Sequence, residues 1–463
     1  MSKSDGKRRR KMKLKISVIG AGSSVFSLSL IRDICCTANL NGCTVSFMDI
    51  DEKRLDNAYA LCVRYAAEMG SNIAIEKTTD RLKSLENADF VINTALHVNY
   101  DMWKRGWKIA QEKGYRYGGS LHIMHDEAFW INYYQFGLME SIYLDILKIC
   151  PNAWYLVVAN PVLAGITYLK RKYPDGKIVG LCHGFNGVYA VAGEMGFDRE
   201  DVRFELSGVN HMVWLTHFTC KGEDGFRLLN EWIEKESEKH FGEIGYCSWT
   251  GPKPVDLYKR YGVFPIGDTA NPGGGAWGWW YHTDEEIQKK WKEDPERWFQ
   301  EVYFEGNERV IEEIARAVED ESVRVSELFP PEYPPSEPMV PLIESIACDI
   351  PRIIITNILN DGEYVQGVPK DFEVEIPTLV SGNGIQGIRC KKLPPAIISH
   401  ILRDRVAPVL VELDAYEKGD YELLVDMIMM DPWTRSEQQA RELLDAILEQ
   451  PELAEMKEHY KKR

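Results

Sequence analysis

Short apolar runs alternate with longer helix-forming stretches over the first 180 or so residues. Leu14–Ile19, Val45–Met48, Phe90–Thr94, Trp154–Ala159 and Ile178–Leu181 have strand length, and Arg54–Met69 and Trp130–Ile149 between them carry no Pro or Gly except Gly137. This rhythm predicts βαβ units around a parallel sheet with right-handed crossovers. Beyond Phe185 it changes to longer charged helices, Leu228–His240 and Asp284–Ala317. A Pro-rich stretch, Pro330–Pro341, reads as an ordered surface excursion. A strand pair around Arg352–Ile358 and Glu373–Val380 follows, and a helical block, Leu393–Tyr460, closes the pattern. Neither an internal repeat nor a flexible linker interrupts it.

The first predicted strand runs straight into Gly20-Ala21-Gly22-Ser23-Ser24-Val25 and then into a helical pattern. A glycine turn between a buried strand and a helix lets backbone N–H groups approach a pyrophosphate. Val25 stands at the third glycine position of the usual fingerprint, and Asp49 closes the second strand, where a carboxylate accepts both ribose hydroxyls. These features point to NAD in preference to NADP, tempered by Arg54, which a 2′-phosphate would attract. Asn93 and Thr94, ending the next apolar strand, are expected along the cofactor or else as a strand-terminating polar pair. The fold expected is α/β, a Rossmann-type parallel sheet (13–184) interlocked with an α+β C-terminal domain (185–463), as in lactate and malate dehydrogenases. Residues 1–12 form a flexible basic start.

Composition narrows the function classes. With 463 residues, 44% hydrophobic and 27% charged, the chain is long enough for two real cores. A net charge of −16 argues against nucleic-acid or membrane-surface partners, which need clustered cations. The basic run Lys7–Lys11 precedes the first strand without a signal-peptide apolar stretch, and no apolar run approaches the roughly 18 residues of a membrane span. Ten scattered cysteines without C-x-x-C spacing fit a soluble protein of the reducing cytoplasm.

Four motifs at strand ends or in loops carry candidate chemistry: Asn160-Pro161, Cys182-His183-Gly184, Gly208-Val209-Asn210-His211 and Gly267-Asp268-Thr269. A thiol, two imidazoles and a carboxylate on a dinucleotide scaffold suit a divalent-metal redox site. Singly, each residue is as readily a core or structural group. Together and in this order they resemble glycoside hydrolase family 4, the NAD- and manganese-dependent glycosidases, from Lys15 to about Asp284, with echoes at Asn357–Gly362 and Val374-Glu-Ile-Pro377. Gly-Leu-Cys182-His-Gly-Phe-Asn-Gly-Val and Tyr261-Gly-Val-Phe-Pro-Ile-Gly-Asp268-Thr look most like the branch acting on unphosphorylated α-uronides.

The resemblance implies NAD and Mn²⁺ as cofactors and a hydrolysis by oxidation and elimination, outside the usual two-carboxylate mechanism. C3 of the sugar is oxidised, C2 loses a proton, the C1 substituent leaves, water adds and C3 is reduced again. Cys182 and His211 would hold Mn²⁺, Asn160 would bind sugar hydroxyls, Asp268 would be the C2 base, and His183 the acid assisting the leaving group. Three departures stand out. The turn Gly114–Ser120 lacks the Asp common after it in relatives, leaving Asp126 as a displaced candidate. No Arg follows Gly267-Asp268-Thr269, where Ala270–Gly275 intervenes, so Arg116 becomes the candidate for a substrate anion. Trp277, Trp279 and Trp280 follow, as a sugar-stacking wall or as core.

Two other classes share parts of this pattern. A sugar or hydroxy-acid dehydrogenase would keep the glycine loop and Asp49 with no need of a thiolate-bound metal, and an NAD sensor would need none of Cys182, His183, His211 and Asp268. Within the glycosidase reading, neutral or sulfonated sugars stand beside the uronide. The expected assembly is a homodimer or homotetramer.

Overall fold

A computed structural model of the chain describes residues 14–97, 100–116, 127–272, 277–320, 322–331 and 338–461. The basic start, Asp126 and Gly273–Gly275 lie outside them. Strands β1 (Lys15–Ile19), β2 (Thr44–Met48), β3 (Ala74–Thr78), β4 (Phe90–Asn93), β5 (Trp154–Val157) and β6 (Ile178–Gly180) form the expected parallel sheet, in the order β3-β2-β1-β4-β5-β6. The order reverses between β1 and β4, and in a doubly wound sheet the crevice beyond the strands' carboxyl ends at that point takes a dinucleotide. Both faces of the sheet are covered. Ile16, Val18, Phe90, Ile92 and Leu156 pack towards helices Ser24–Cys36 and Glu52–Glu68, while Val91, Tyr155 and Val157 pack towards Phe129–Ile149 and Val162–Lys172. Double-sided burial makes these strands continuous apolar runs, which is why the sequence displays them. β3 lacks that signal: it is an edge strand paired with β2 alone, and Ala74, Glu76 and Lys77 are exposed.

The sheet does not stop at β6. Strands β7 (Val202–Val209), β8 (Met212–Cys220), β9 (Glu223–Asp224) and β10 (Phe264–Ile266) build a separate four-stranded sheet, ordered β10-β8-β7 with β9 on β8. Then β11 (Arg352–Leu359), β12 (Glu373–Ser381) and β13 (Gly384–Gly387) extend the large sheet to nine strands, β11 joining β6 in antiparallel sense through Asn357 and Gly180. Strands from both sides of residues 184/185 therefore share one sheet, and β12 packs on β7 to join the two sheets. The hairpin β7–β8 escapes the apolar-run criterion because the outer half of β7 alternates, with Arg203 exposed and Phe204 and Glu205 half-buried.

Three elements depart from expectation. Leu228–His240 is two helices, Gly225–Lys235 and Ser237–Glu243, separated at Glu236. Asp284–Ala317 is interrupted: helix Glu285–Trp291 stops at Lys292, which takes a left-handed conformation (φ 51°), before helical structure resumes at Pro295 and runs to Glu319. The break inserts Glu293 into the interior, where its carboxyl meets Lys253 Nζ at 3.1 Å with both side chains 1% exposed. A buried ion pair outweighs continuity of the helix here, because an unpaired buried charge costs several kcal/mol. The Pro-rich stretch is not wholly a surface excursion, since a helix, Met339–Cys348, starts within it and buries Met339, Val340, Leu342 and Ile343.

The β6–β11 seam is testable at Gly180. A Cβ there would lie 2.7 Å from side-chain carbons of both Ile166 and Val162 and 2.8 Å from Asn357 Cβ. Gly180→Ala should destabilise the protein by about 1–3 kcal/mol through overpacking. A thermal melt should show Tm lower by roughly 2–5 °C.

Candidate active site

Two clusters meet the carboxyl edge of the parallel sheet. At the β1/β4 switch point, Gly20 (φ 89°) and Ala21 donate backbone N–H groups to the Met48 carbonyl at 2.9 and 3.0 Å. A Cβ on Gly20 would fall 2.6 Å from the Ala95 backbone, so only glycine allows the loops after β1 and β4 to approach this closely. Gly22 N–H donates to Asp49 Oδ2 at 2.8 Å, and Asp49 Oδ1 accepts from Asp51 N–H at 2.9 Å. Ser23 caps the helix Ser24–Cys36, whose first turn holds no acidic residue, and Val25 lies half-buried in that turn. The positive end of the helix dipole lies beside the glycine loop, close to the Asp49 carboxylate that Gly22 N–H meets. Arg54 is exposed and runs close to Gly22, a Cβ on which would lie 3.1 Å from Arg54 Cβ.

Asn93 and Thr94 sit beneath this cradle with their side chains engaged inward. Asn93 Nδ2 donates to the Tyr155 hydroxyl at 3.0 Å and its Oδ1 accepts from Ala95 N–H at 3.0 Å. Thr94 Oγ1 lies 3.1 Å from both the Ile19 and Gly20 carbonyl oxygens. They tie the ends of β1, β4 and β5 together at the carboxyl edge beside the glycine loop.

Cys182 follows β6, and Gly184 N–H donates to its Sγ at 3.5 Å. The Gly184 backbone rests on Gly267, where a Cβ would lie 2.8 Å from the Gly184 carbonyl oxygen and φ is 58°. That contact brings the Cys182 loop to the Asp268 loop. Thr269 fixes the latter on β8: its Oγ1 accepts from Val213 N–H at 2.8 Å and donates to the Val213 carbonyl at 3.0 Å. His211 sits in the two-residue turn between β7 and β8, left-handed (φ 57°) and 6% exposed, with Nε2 3.3 Å from Asp268 Oδ2. Burial, then the nearby Glu375 carboxylate, push the Cys182 thiol up to about 11, against a hydrogen bond with His211 that acts downwards. The thiol, imidazole and carboxyl brought together from three sequence-distant loops are those the motifs singled out.

Other expected site residues are placed as follows. Asn160 is half-buried at the carboxyl end of β5, where the Asn160–Pro161 peptide is cis, on the same sheet edge as Cys182. His183 is exposed. Arg116 is exposed as well: it donates to the Thr283 carbonyl and stands 5.6 Å over the Trp433 ring. Trp277 is core, 2% exposed, with Nε1 donating to Asp404 Oδ2 at 3.1 Å, whereas Trp279 and Trp280 are half-buried. Sequence reasoning left out three buried polar residues behind the cluster, Glu373, Glu375 and Arg405. Their signal was present for the acids, since two Glu two apart in an otherwise apolar strand share one face and must be satisfied inside.

The residues fit a divalent ion by donor chemistry. A thiol, an imidazole and a carboxyl converge in a low-dielectric setting that disfavours the thiolate, and a bound cation reverses that preference. Among the described residues no group of three His, Cys, Asp or Glu side chains is gathered closely enough to hold a metal ion.

A Rossmann-type cradle beside a thiol–imidazole–carboxyl cluster defines an enzyme built for redox-assisted chemistry on a small substrate. The chain belongs to the family 4 glycosyl hydrolases: the model for "Family 4 glycosyl hydrolase" matches residues 15–196, and that for its C-terminal domain matches residues 206–434. It is 23% identical over 440 residues to an α-galactosidase of Bacillus subtilis, covering 93% of this chain and 95% of that one. With an α-galacturonidase of Thermoanaerobacterium saccharolyticum it shares 24% identity over 475 residues, 94% and 95% of the two chains. Among solved structures, a 6-phospho-α-glucosidase from gut microorganisms in complex with NAD and Mn²⁺ superposes with a TM-score of 0.76 at 19% identity, covering 95% of this chain and 98% of that one. The chain is thus a glycosidase with the expected α/β architecture. No helix of the described residues is long and apolar enough to cross a membrane.

The Gly184–Gly267 contact can be tested directly. Gly267→Ala must push the Cys182 loop away from Asp268, and glycosidase activity should fall by at least an order of magnitude. Gly419→Ala is the control: its φ is 63° and its Cβ would meet the His459 carbonyl oxygen at 2.7 Å. Both lose stability, about 1–2 kcal/mol from the left-handed backbone alone; only the first should lose activity in excess of its loss of folded protein.

Proposed function

We propose that the protein hydrolyses an unphosphorylated glycoside, an α-uronide by preference, in an NAD- and Mn²⁺-dependent reaction. The observation that carries this reading is the convergence of Cys182, His211 and Asp268, with His211 Nε2 3.3 Å from Asp268 Oδ2, on the sheet edge that also bears the glycine cradle. The α-galacturonidase relative and the tetrad Cys182-His183-Gly184-Phe185 support the choice of sugar. The gut 6-phospho-α-glucosidase structure supports both cofactors.

Gly20, Gly22, Ser23, Ser24 and Val25 would hold the pyrophosphate against the helix start, and Asp49 the ribose, once its Oδ2 leaves Gly22 N–H. Cys182 and His211 would hold the ion. When bound, NAD⁺ would supply the hydride acceptor and donor for the sugar's C3, and Mn²⁺ would supply Lewis-acid polarisation of the sugar oxygens. Asn160 hydrogen-bonds sugar hydroxyls beside Cys182. Asp268, partly exposed and next to His211, accepts the C2 proton that oxidation of C3 acidifies. Exposed His183 is available to protonate the departing oxygen. Arg116, exposed and donating to the Thr283 carbonyl, is assigned to a substrate anion. Cys35, Cys43, Cys62, Cys150, Cys182, Cys220, Cys247 and Cys390 are free thiols, which supports a cytoplasmic setting.

Aglycone release from a panel of aryl α- and β-glycosides, uronides included, tests the reading when NAD⁺ and Mn²⁺ are withheld separately. Hydrolysis should require both, without NADH accumulating. Asp268→Asn should lower kcat by about 10²–10⁴-fold. Stoichiometric NADH from free sugars with no aglycone released would make the protein a dehydrogenase.

A further inference from the structure

The turn that presents His211 is held from behind by a polar framework. Asn210, fully buried, donates its N–H to Glu373 Oε2 at 3.0 Å and its Nδ2 to Glu375 Oε2 at 2.8 Å. The His211 carbonyl accepts from Arg405 Nη2 at 3.0 Å, and that arginine is itself fully buried. A left-handed histidine is strained and persists only where its surroundings over-determine it. The two acids belong to β12 and His211 to the other sheet, so these bonds span the junction of the two sheets. They also sit in register with the other half of the site. Glu375 pairs with Asn357 across β11–β12, and Asn357 pairs with Gly180 across β11–β6, with its Nδ2 donating to the Gly180 carbonyl at 3.3 Å. One row of residues thus runs from the turn bearing His211 to the end of the strand bearing Cys182.

We propose that Glu375 is a positioning residue for the reaction: through Asn210 it sets where His211 stands relative to Cys182 and Asp268. Buried at 1% exposure with its Oε2 on Asn210 Nδ2, it reaches His211 through Asn210, while its charge also bears on Cys182 directly. This rests on the reading of Cys182 and His211 as holders of the ion, and it assigns to β12, far along the chain, control over that pair.

The test uses the full-length protein and two substitutions. Glu375→Gln keeps a carbonyl oxygen to accept from Asn210 Nδ2, whereas Glu375→Leu removes the acceptor. Free Mn²⁺ measured by electron paramagnetic resonance gives the dissociation constant, and metal-free crystal structures give the His211 backbone angle. Glu375→Leu should weaken Mn²⁺ binding about 10–100-fold, as loss of an outer-shell partner does elsewhere, and His211 should leave its left-handed conformation. It should lower kcat more than it raises KM, and Glu375→Gln, which keeps the acceptor and drops only the charge, should return His211 to its left-handed conformation and bind Mn²⁺ more tightly than Glu375→Leu. Glu412→Leu is the matched control, because it breaks another buried Asn–Glu contact, Asn132 Nδ2 to Glu412 Oε1 at 3.0 Å; it should lower Tm and leave Mn²⁺ binding alone. If Glu375→Leu does not fold, Asn210→Gly removes the same bond from the other side and carries the same expectation. The proposal is overturned if His211 and Mn²⁺ affinity are unchanged on losing the bond, or if Glu412→Leu weakens Mn²⁺ equally. A parent protein that binds no Mn²⁺, with His211 still displaced in Glu375→Leu, would defeat the metal reading and leave the positioning role standing.

Discussion

Where two backbones touch there is no room for a Cβ, and the site depends on two such contacts. Gly20 against Ala95 closes the loops after β1 and β4 into a cradle, and Gly267 against Gly184 brings the loop after β10 to the loop after β6. The second contact joins the small sheet to the edge of the large one, so that Asp268 and Cys182 come to a common place. Side chains then secure what the glycines permit: Thr269 on Val213, Thr94 over the carbonyls of Ile19 and Gly20, and Asn93 on Tyr155. These hydrogen bonds hold loops that have little apolar surface of their own to bury.

Electrostatics favours a cation at the second contact. The Cys182 thiol is half-buried, with Asp268 and Glu375 both bearing on it, and both raise its pKa. A protein with a net charge of −16 that also aims carboxylates at a thiol is disposed to bind a positive ion there. Such an ion would relieve the repulsion and stabilise the thiolate together. The glycine cradle suits the opposite charge, since it opens onto a helix start, where backbone N–H groups and the helix dipole favour a pyrophosphate. The two ends of one sheet edge are thus matched to two ligands of opposite sign.

Local chemistry was legible where one residue's neighbours in sequence are also its neighbours in space. The strand, glycine turn and helix from Lys15 to Cys36, with Asp49 at the end of β2, follow that rule. β3 and the β7–β8 hairpin were harder to read because exposed strand residues dilute the apolar signal. Glu293 broke a helix for the sake of Lys253, and Trp277 found Asp404, both partners being remote in sequence. Glu373 and Glu375 read as ordinary strand acids until Asn210 is seen against them.

By itself the sequence determined the parallel sheet, the nucleotide loop and the residue types of the chemistry, because hydrophobic periodicity and turn chemistry are local and the motifs are short. Only the tertiary structure decided that β11–β13 continue the sheet beyond β6, that Cys182, His211 and Asp268 share one place, and that β12 supports it. Those outcomes depend on long-range backbone packing and on buried hydrogen bonds between segments distant in sequence, such as Asn210 and Glu375, 165 residues apart. Whether two such distant groups meet is settled by the burial free energy of the whole core and by no property of either segment alone.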